Sequence, residues 1–172
     1  MEKAEQQIIL ENFRDYVIQQ ARSNLSRLQK NSSRKLYDSI QGEIKAMPNS
    51  LRLYFDMEEY GFYQDKGVSG TKRKYDTPFS YTNKMPPPKA FDKWIVKKGI
   101  APRNKEGKFT TRKGLQFAIA RSIFEKGIKP SLFFTKPFEK AFKNLPNEMI
   151  EAYGLEAQET FDTIMKENFK TK

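Results

Sequence analysis

Residues 43–57 read EIKAMPNSLRLYFDM, and this stretch decides the fold. Its second half alternates apolar residues with more polar ones, the period-two pattern typical of a half-buried β-strand. The apolar set is Leu51, Leu53, Phe55 and Met57. Ile44 and Ala46 alternate more weakly, and residues 48–50 between the halves are the turn formers Pro-Asn-Ser. The stretch therefore predicts a β-hairpin.

Helical periodicity lies on both sides of this hairpin. Residues 4–29 predict a long amphipathic helix that receives the apolar face of the hairpin, and residues 36–40 predict one or two further turns. Further helices are predicted over residues 89–98, over 111–126, and from 135 to the C-terminus with a division at Pro146. We expect an α+β fold with a long N-terminal helix, a small antiparallel sheet with the hairpin, and C-terminal helices packed on the sheet.

Five finer expectations concern single positions or short segments. Trp94 is expected in the core, and Thr110 or Thr111 is expected to cap the next helix. Gly127 should end that helix in the left-handed conformation, and the apolar run 131–134 should form a short strand. The face of that helix expected to be well buried consists of Leu115, Ala118, Ile119, Ser122 and Ile123, widened by Phe117 and Phe124.

The chain length of 172 residues suits a single domain over residues 1–172, with a basic, loop-rich insertion at about residues 68–111. Residues 71–88 contain four prolines and no sustained apolar period, so they predict a long loop. Loops of this length in a compact domain are usually functional or disordered until bound, which makes the segment a candidate contact arm. The alternative is a solvent-exposed insertion without a role.

The sequence contains no Cys and no His. It therefore excludes disulfides and thiolate chemistry, and it lacks the usual general base, the usual zinc ligand and the common nucleophilic triads. We expect no enzymatic activity, no cofactor and no metal. The remaining catalytic possibility is a metal-dependent nuclease built on Asp56, Glu58 and Glu59 with Lys66 downstream, although this spacing matches no nuclease signature.

Basic residues are concentrated in the middle of the chain. Residues 66–113 hold fourteen Lys and Arg against three acids, and the difference equals the formal net charge of the whole chain, +11. Such a segment indicates a polyanionic neighbour, either DNA or an acidic protein surface, with a solvated lysine-rich loop as the alternative. The candidate interface or DNA-facing residues are Lys66, Lys72, Arg73, Lys74, Lys84, Lys97, Lys98, Arg103, Lys105 and Lys108.

Two short segments resemble a family of bacteriophage proteins. The first box, residues 60–67, reads YGFYQDKG, and the second box, residues 127–138, reads GIKPSLFFTKPF. Both are similar to motifs of the tail completion or head-tail joining proteins of tailed phages, the HK97 gp10-like family. The residues that carry the resemblance as structural positions are Tyr60, Tyr63, Gly67, Pro130, Phe133, Phe134 and Pro137.

The resemblance implies a non-enzymatic α+β subunit of a closed ring, with a hexamer favoured and a dodecamer possible. Its expected partners are portal, adaptor or tail proteins of the virion, with possible contact to packaged DNA. We expect a virion protein made in the host cytoplasm, and no membrane span, because no apolar stretch approaches the roughly 20 residues that a span needs. The basic insertion between Gly70 and Thr111 departs from the family pattern.

Two other classes of function compete with this interpretation. A monomeric nucleic-acid-binding protein would use the same basic segment, with aromatic side chains stacking on bases. The aromatic candidates are Tyr75, Phe79, Tyr81 and Trp94. A nuclease built on Asp56 and Glu58 is the third possibility.

Overall fold

The computed structural model describes residues 3–30, 33–47, 50–147 and 149–150. In chain order its elements are α1 (Lys3–Arg27), α2 (Lys35–Ser39), β1 (Gln41–Met47), β2 (Ser50–Asp56), α3 (Tyr60–Lys66), a 3₁₀ helix (Pro88–Phe91), α4 (Asp92–Lys97), α5 (Arg112–Lys126) and α6 (Thr135–Phe142). The chain forms two compact units. Unit 1 holds the residues up to Gly61 and those from Leu132 onward, and unit 2 is Phe62–Ser131. The expectation of one domain stays a prediction.

The hairpin predicted from residues 43–57 is confirmed. Strands β1 and β2 pair antiparallel in a register that sets Gln41 opposite Asp56 and Met47 opposite Ser50. Along β2 the alternation holds, because Phe55 is buried while its neighbour Asp56 is exposed. Residues 48 and 49 of the expected turn lie outside the described residues.

Strand β1 lies directly on helix α1, as the sequence predicts. The contact is close at Gly42, where an added Cβ would come within 2.6 Å of Cγ of Arg14 and 3.3 Å of Cδ1 of Ile18. Helix α1 turns a continuous apolar stripe inward, formed by Phe13, Val17, Ala21 and Leu25. The spacing of four residues along this stripe places all its members on one helical face.

Four phenylalanines from different parts of the chain join α1, the hairpin and α6 in the core of unit 1. The ring of Phe13 meets that of Phe138 edge to face at 5.3 Å between centroids, and Phe55 meets Phe134 in the same way at 5.2 Å. Edge-to-face pairs of this kind add about 0.5–1.5 kcal/mol each beyond the burial of their area. The predicted α+β fold, with a C-terminal helix on a small antiparallel sheet, is therefore confirmed.

The strand predicted over residues 131–134 is wrong. Leu132 has a φ of 50°, and Phe133 and Phe134 form a turn that leads into α6. The backbone N–H of Phe138 already donates to the carbonyl of Phe134 at 3.1 Å, as in a helix. Both phenylalanines are fully buried, so their apolar character serves the core and not a strand pairing. A run of four residues carries too little periodicity to separate these cases.

Helix α6 begins where the sequence predicts, with Pro137 in its first turn. It ends at Phe142, ahead of Pro146. The continuation predicted beyond residue 150 lies outside the described residues.

Helix α5 in unit 2 buries a different face from the predicted one. Its buried residues are Gln116 and Ala120, whereas Phe117 is 52% exposed and Ala118 is exposed. The other members of the predicted stripe, Leu115, Ile119, Ser122 and Ile123, together with Phe124, are only partly buried. Nε2 of Gln116 donates to Oδ1 of Asp92 at 2.6 Å, so a polar contact holds Gln116 at its buried position.

Two further expectations in unit 2 have opposite outcomes. Thr111 caps α5, since its Oγ1 accepts a hydrogen bond from the backbone N–H of Gly114 at 3.2 Å. The core position expected for Trp94 is wrong, because this side chain is 41% exposed. Ile95 is the residue of α4 that turns inward, and it is almost completely buried.

We predict that Phe55→Ala lowers the free energy of unfolding by about 3–5 kcal/mol, because it leaves a cavity where three other phenylalanine rings meet. Ile8→Ala is the control in the same unit, since Ile8 is 57% exposed, and it should change stability by no more than about 0.5 kcal/mol. Urea unfolding followed by far-UV circular dichroism measures both. Equal losses for the two variants would contradict the proposed core.

Candidate functional site

Two backbone segments meet in the centre of unit 2. Val68 and Ile128 form an antiparallel bridge, with N–H to carbonyl distances of 2.8 Å in both directions. Ser69, on the other side, donates its N–H to the carbonyl of Phe79 and accepts from the N–H of Tyr81, both at 2.8 Å. Residues 68–69 are therefore enclosed between the end of α5 and the loop predicted from the sequence.

Glycine is required at this meeting point because the segments approach without room for a side chain. A Cβ at Gly70 would lie 2.2 Å from the carbonyl oxygen of Glu125, and one at Gly127 would lie 2.1 Å from that of Val68. Gly127 ends α5 at a positive φ of 73°, as predicted, but its ψ of −169° differs from the left-handed helical conformation. This backbone region is essentially restricted to glycine.

The predicted loop carries no helix or strand from residue 71 to 87, all of which are described, apart from a single bridge at Ser80. Its first half is nevertheless fixed to unit 2 by its backbone. The N–H of Thr71 donates to the carbonyl of Phe124 at 2.9 Å, and the hydroxyl of Ser69 accepts from the N–H of Tyr75 at 2.9 Å. The loop is thus a folded part of the unit and not a loose extension.

Aromatic side chains complete this attachment. The ring of Tyr63 lies edge to face with that of Phe79 at 4.7 Å, and Tyr81 lies 6.2 Å from Phe124. Burial raises the pKa of the Tyr81 phenol above its ordinary value of 10.0. Phe79 and Tyr81, predicted as base-stacking candidates, therefore contribute to the packing of unit 2.

The net positive charge of the protein belongs to unit 2. Phe62–Ser131 holds seventeen Lys and Arg against five Asp and Glu, a formal net charge of +12. The rest of the chain has fifteen against sixteen, a net charge of −1. Sixteen of the seventeen cations are exposed, and the other, Lys66, is partly buried. Unit 2 therefore presents a strongly basic surface.

The ten predicted basic residues fall into three groups along unit 2. Lys66 ends α3 and is partly buried. The first part of the loop carries Lys72, Arg73 and Lys74, with Lys84 further on. Lys97 and Lys98 lie at the end of α4, followed by a turn that bears Arg103, Lys105 and Lys108. Except for Lys66, all of them are exposed.

Two residues of the loop group have partners inside unit 2. Nζ of Lys72 lies 2.9 Å from Oε2 of Glu125. The other carboxylate oxygen of Glu125, Oε1, lies 3.0 Å from Nε of Arg121. The guanidinium of Arg73 lies over the ring of Tyr75 at 5.2 Å. These contacts fix the loop, so charge reversal at Lys72 would also disturb the fold.

The turn after α4, which we call the finger and define as residues 103–109, has a regular structure. Arg103 and Phe109 face each other as an antiparallel bridge. Oδ1 of Asn104 accepts from the backbone N–H of Glu106 at 3.1 Å and from that of Lys108 at 2.9 Å. Gly107 adopts a φ of 81° in open space, which closes the turn.

One aromatic residue of the finger was missed from the sequence. Phe109 is 69% exposed, and the guanidinium of Arg103 lies 4.1 Å from the centre of its ring. The sequence did contain a signal for this exposure, because Phe109 directly follows a basic turn and belongs to no helical period. Trp94 and Phe117, the latter expected only to widen a buried stripe, are also exposed in unit 2.

The acidic residues of the nuclease hypothesis, Asp56, Glu58 and Glu59, are exposed in unit 1. The N–H of Glu58 donates to the hydroxyl of Ser39 at 2.9 Å. In the part of the chain that the structure describes, no three or more Asp and Glu side chains gather closely enough to hold a metal ion.

The seven residues that carry the family resemblance differ in burial and are divided between the two units. Tyr60 is exposed and Tyr63 contacts Phe79. A Cβ at Gly67 would lie 2.6 Å from Cδ of Pro130. Phe133, Phe134 and Pro137 are buried in unit 1.

We predict that Glu125→Gln destabilises the protein slightly at pH 7 and less at about pH 3. Hydrogen bonds from Lys72 and then Arg121 hold the pKa of the Glu125 carboxyl below its ordinary value of 4.5. A carboxyl with a depressed folded-state pKa stabilises the fold above its unfolded-state pKa, and this contribution disappears as the pH falls through the folded-state value. The difference in melting temperature between wild type and variant should shrink accordingly.

Glu106→Gln removes the same charge from the finger and is the control for that measurement. Its melting temperature should follow that of wild type at both pH values. A difference for Glu125→Gln that is as large at about pH 3 as at pH 7 would show that the carboxylate charge is not what stabilises the loop.

Comparison with known proteins gives no relatives: no family model, no curated protein and no solved structure matches the chain. Within the described residues, every helix is too short or too polar to cross a membrane. The features of the chain that bear on its function are therefore the two boxes and the basic surface of unit 2.

Proposed function

We propose that this chain is a non-enzymatic structural subunit of a ring in the neck of a tailed bacteriophage, where it joins the head to the tail and helps to seal the DNA channel. The observation that carries the proposal is the meeting of the two boxes. Ser131 in the second box lies 67 positions after Gln64 in the first, and its hydroxyl donates to the Gln64 carbonyl. Its N–H also lies 3.1 Å from the carbonyl of Asp65.

This meeting supports the resemblance because the two boxes act together. Gly67 of the first box leaves space for Pro130 of the second, so the glycine and the proline serve one contact. The fold thus brings into contact two segments that lie 67 positions apart in the sequence. The proposal assigns the protein to the virion and gives it portal, adaptor or tail proteins as partners.

Ring formation requires a surface on each copy that fits a different surface on the next copy. The hairpin offers such a surface, because within the described part of the chain β1 and β2 pair only with each other. The outer edges of a two-stranded sheet are natural sites for strand addition by a neighbouring chain. A hexamer is favoured and a dodecamer is the alternative.

The basic surface of unit 2 supports a polyanionic neighbour in the assembled particle. An exposed net charge of +12 on a unit of this size repels itself and favours binding to phosphate or to a carboxylate-rich face. The neutral remainder of the chain leaves the other surfaces available for contacts between subunits.

A mass measurement of the purified protein, with negative-stain images at low and moderate salt, tests the proposal. We expect a ring of six or twelve subunits, or a monomer that closes into rings once portal or tail proteins are added. A protein that stays monomeric at both salt concentrations and ignores those partners would overturn the proposal.

A monomeric nucleic-acid-binding protein is the second candidate, favoured by the exposed Arg103–Phe109 pair within the basic surface. This candidate predicts that the isolated monomer binds DNA with an affinity that falls steeply as salt rises. The same mass measurement separates the two candidates, because only the first requires a closed oligomer.

A further inference from the structure

The finger combines a fixed backbone with exposed positive charge. Within seven residues it carries Arg103, Lys105 and Lys108 against the single acid Glu106, and all four side chains are exposed. The guanidinium of Arg103 donates from Nη1 to the carbonyl of Gly107 at 3.0 Å, and the N–H of Thr110 donates to the carbonyl of Pro102 at 2.9 Å. A turn held in this way loses little conformational entropy when it binds.

The exposed ring of Phe109 is the second feature. A phenylalanine that is 69% exposed keeps most of its apolar ring in water, where a partner can cover it. The Arg103 guanidinium at 4.1 Å covers part of the ring, so cation and aromatic form one composite surface. Surfaces of this composition suit the flat faces of nucleobases.

Charge and shape together favour nucleic acid over an acidic protein. Lys105 and Lys108 come from the turn and from its returning side, so they present two cations a few residues apart to a chain of phosphates. A turn of two chain segments is also narrow enough for the DNA major groove, about 12 Å wide. An acidic protein would satisfy the lysines but has no general need for the arginine-aromatic pair.

We propose that the finger is a nucleic-acid-binding element in which Lys105 and Lys108 bind phosphate oxygens and the Arg103–Phe109 pair packs against a base or a sugar. The inference rests on the proposed function only for the role of unit 2 as the polyanion-facing part. It assigns a site and a ligand chemistry to that surface, and it applies to a ring and to a monomer alike.

Fluorescence polarisation of the full-length protein with a labelled duplex and a labelled single strand of equal length tests the inference. In a salt series from about 50 to 200 mM, the double variant Lys105→Gln/Lys108→Gln should reduce the slope of log affinity against log salt by about 1.8 for the duplex and about 1.4 for the single strand. Each lost phosphate contact accounts for half of that change. The variant residues are exposed, so the fold should be retained.

Phe109→Ala separates the two forms of nucleic acid. A ring can stack on a base that is free of its own neighbours, so the variant should weaken single-strand binding by about 5- to 150-fold and duplex binding much less. Equal weakening of both would still support the finger and would indicate packing against a sugar or within a groove. No weakening of either would remove Phe109 from the site.

The matched control is Lys136→Gln/Lys143→Gln, which removes the same charge from exposed positions of unit 1. Its affinity and salt slope should equal those of wild type. The inference is overturned if the finger variants behave like this control, or if wild type binds neither probe at low salt, in which case an acidic protein becomes the partner to test.

Mass measurements on the same samples keep this inference apart from the proposed function. Rings that form while the finger variants bind like wild type would refute the finger alone. If the protein is a strict monomer and the finger variants lose nucleic-acid binding, the ring proposal is refuted and the inference about the finger is supported.

Discussion

The close contact between two backbone segments in unit 2 is the constraint on which the basic surface depends. Gly70 and Gly127 stand where any Cβ would overlap a backbone atom of the opposite segment. No change of side-chain rotamer relieves an overlap of backbone with backbone, so these positions tolerate no larger residue without a shift of the chain. The cationic loop and the end of α5 both leave from this contact, and residues without a side chain therefore set the position of the charges.

The two units are stabilised by different interactions. Of the eleven largest fully buried side chains in the described residues, only Ile95 and Asp65 belong to unit 2, while the phenylalanine cluster fills unit 1. Unit 2 relies instead on backbone hydrogen bonds around Ser69 and on a few aromatic contacts. With a small core and a net charge of +12, it gains stability whenever a polyanion neutralises its surface.

Elements with a strong period were predicted correctly from the sequence. The predictions failed where contacts between distant positions determine which side chains are buried. The alternation that ends at Phe55 identified the hairpin, because one face of that strand is buried and the other is not. The face of α5 was missed because the polar Gln116 is held by Asp92, a partner 24 positions earlier. The lysines of the finger predicted its basic character, but the exposure of Phe109 also depends on which surfaces other segments cover, and its position after a basic turn does not determine that.

The hydrogen bonds between Ser131 and residues 64–65 have a consequence for the history of the chain. Unit 2 begins and ends at neighbouring points, since the chain leaves it at Ser131 beside the backbone of Gln64 and Asp65 near where it began. A segment whose two ends are adjacent can be gained or lost in one genetic event, with a short junction closing the gap in the host fold. The charged unit is thus a segment whose surface chemistry can change while the phenylalanine core of unit 1 is kept.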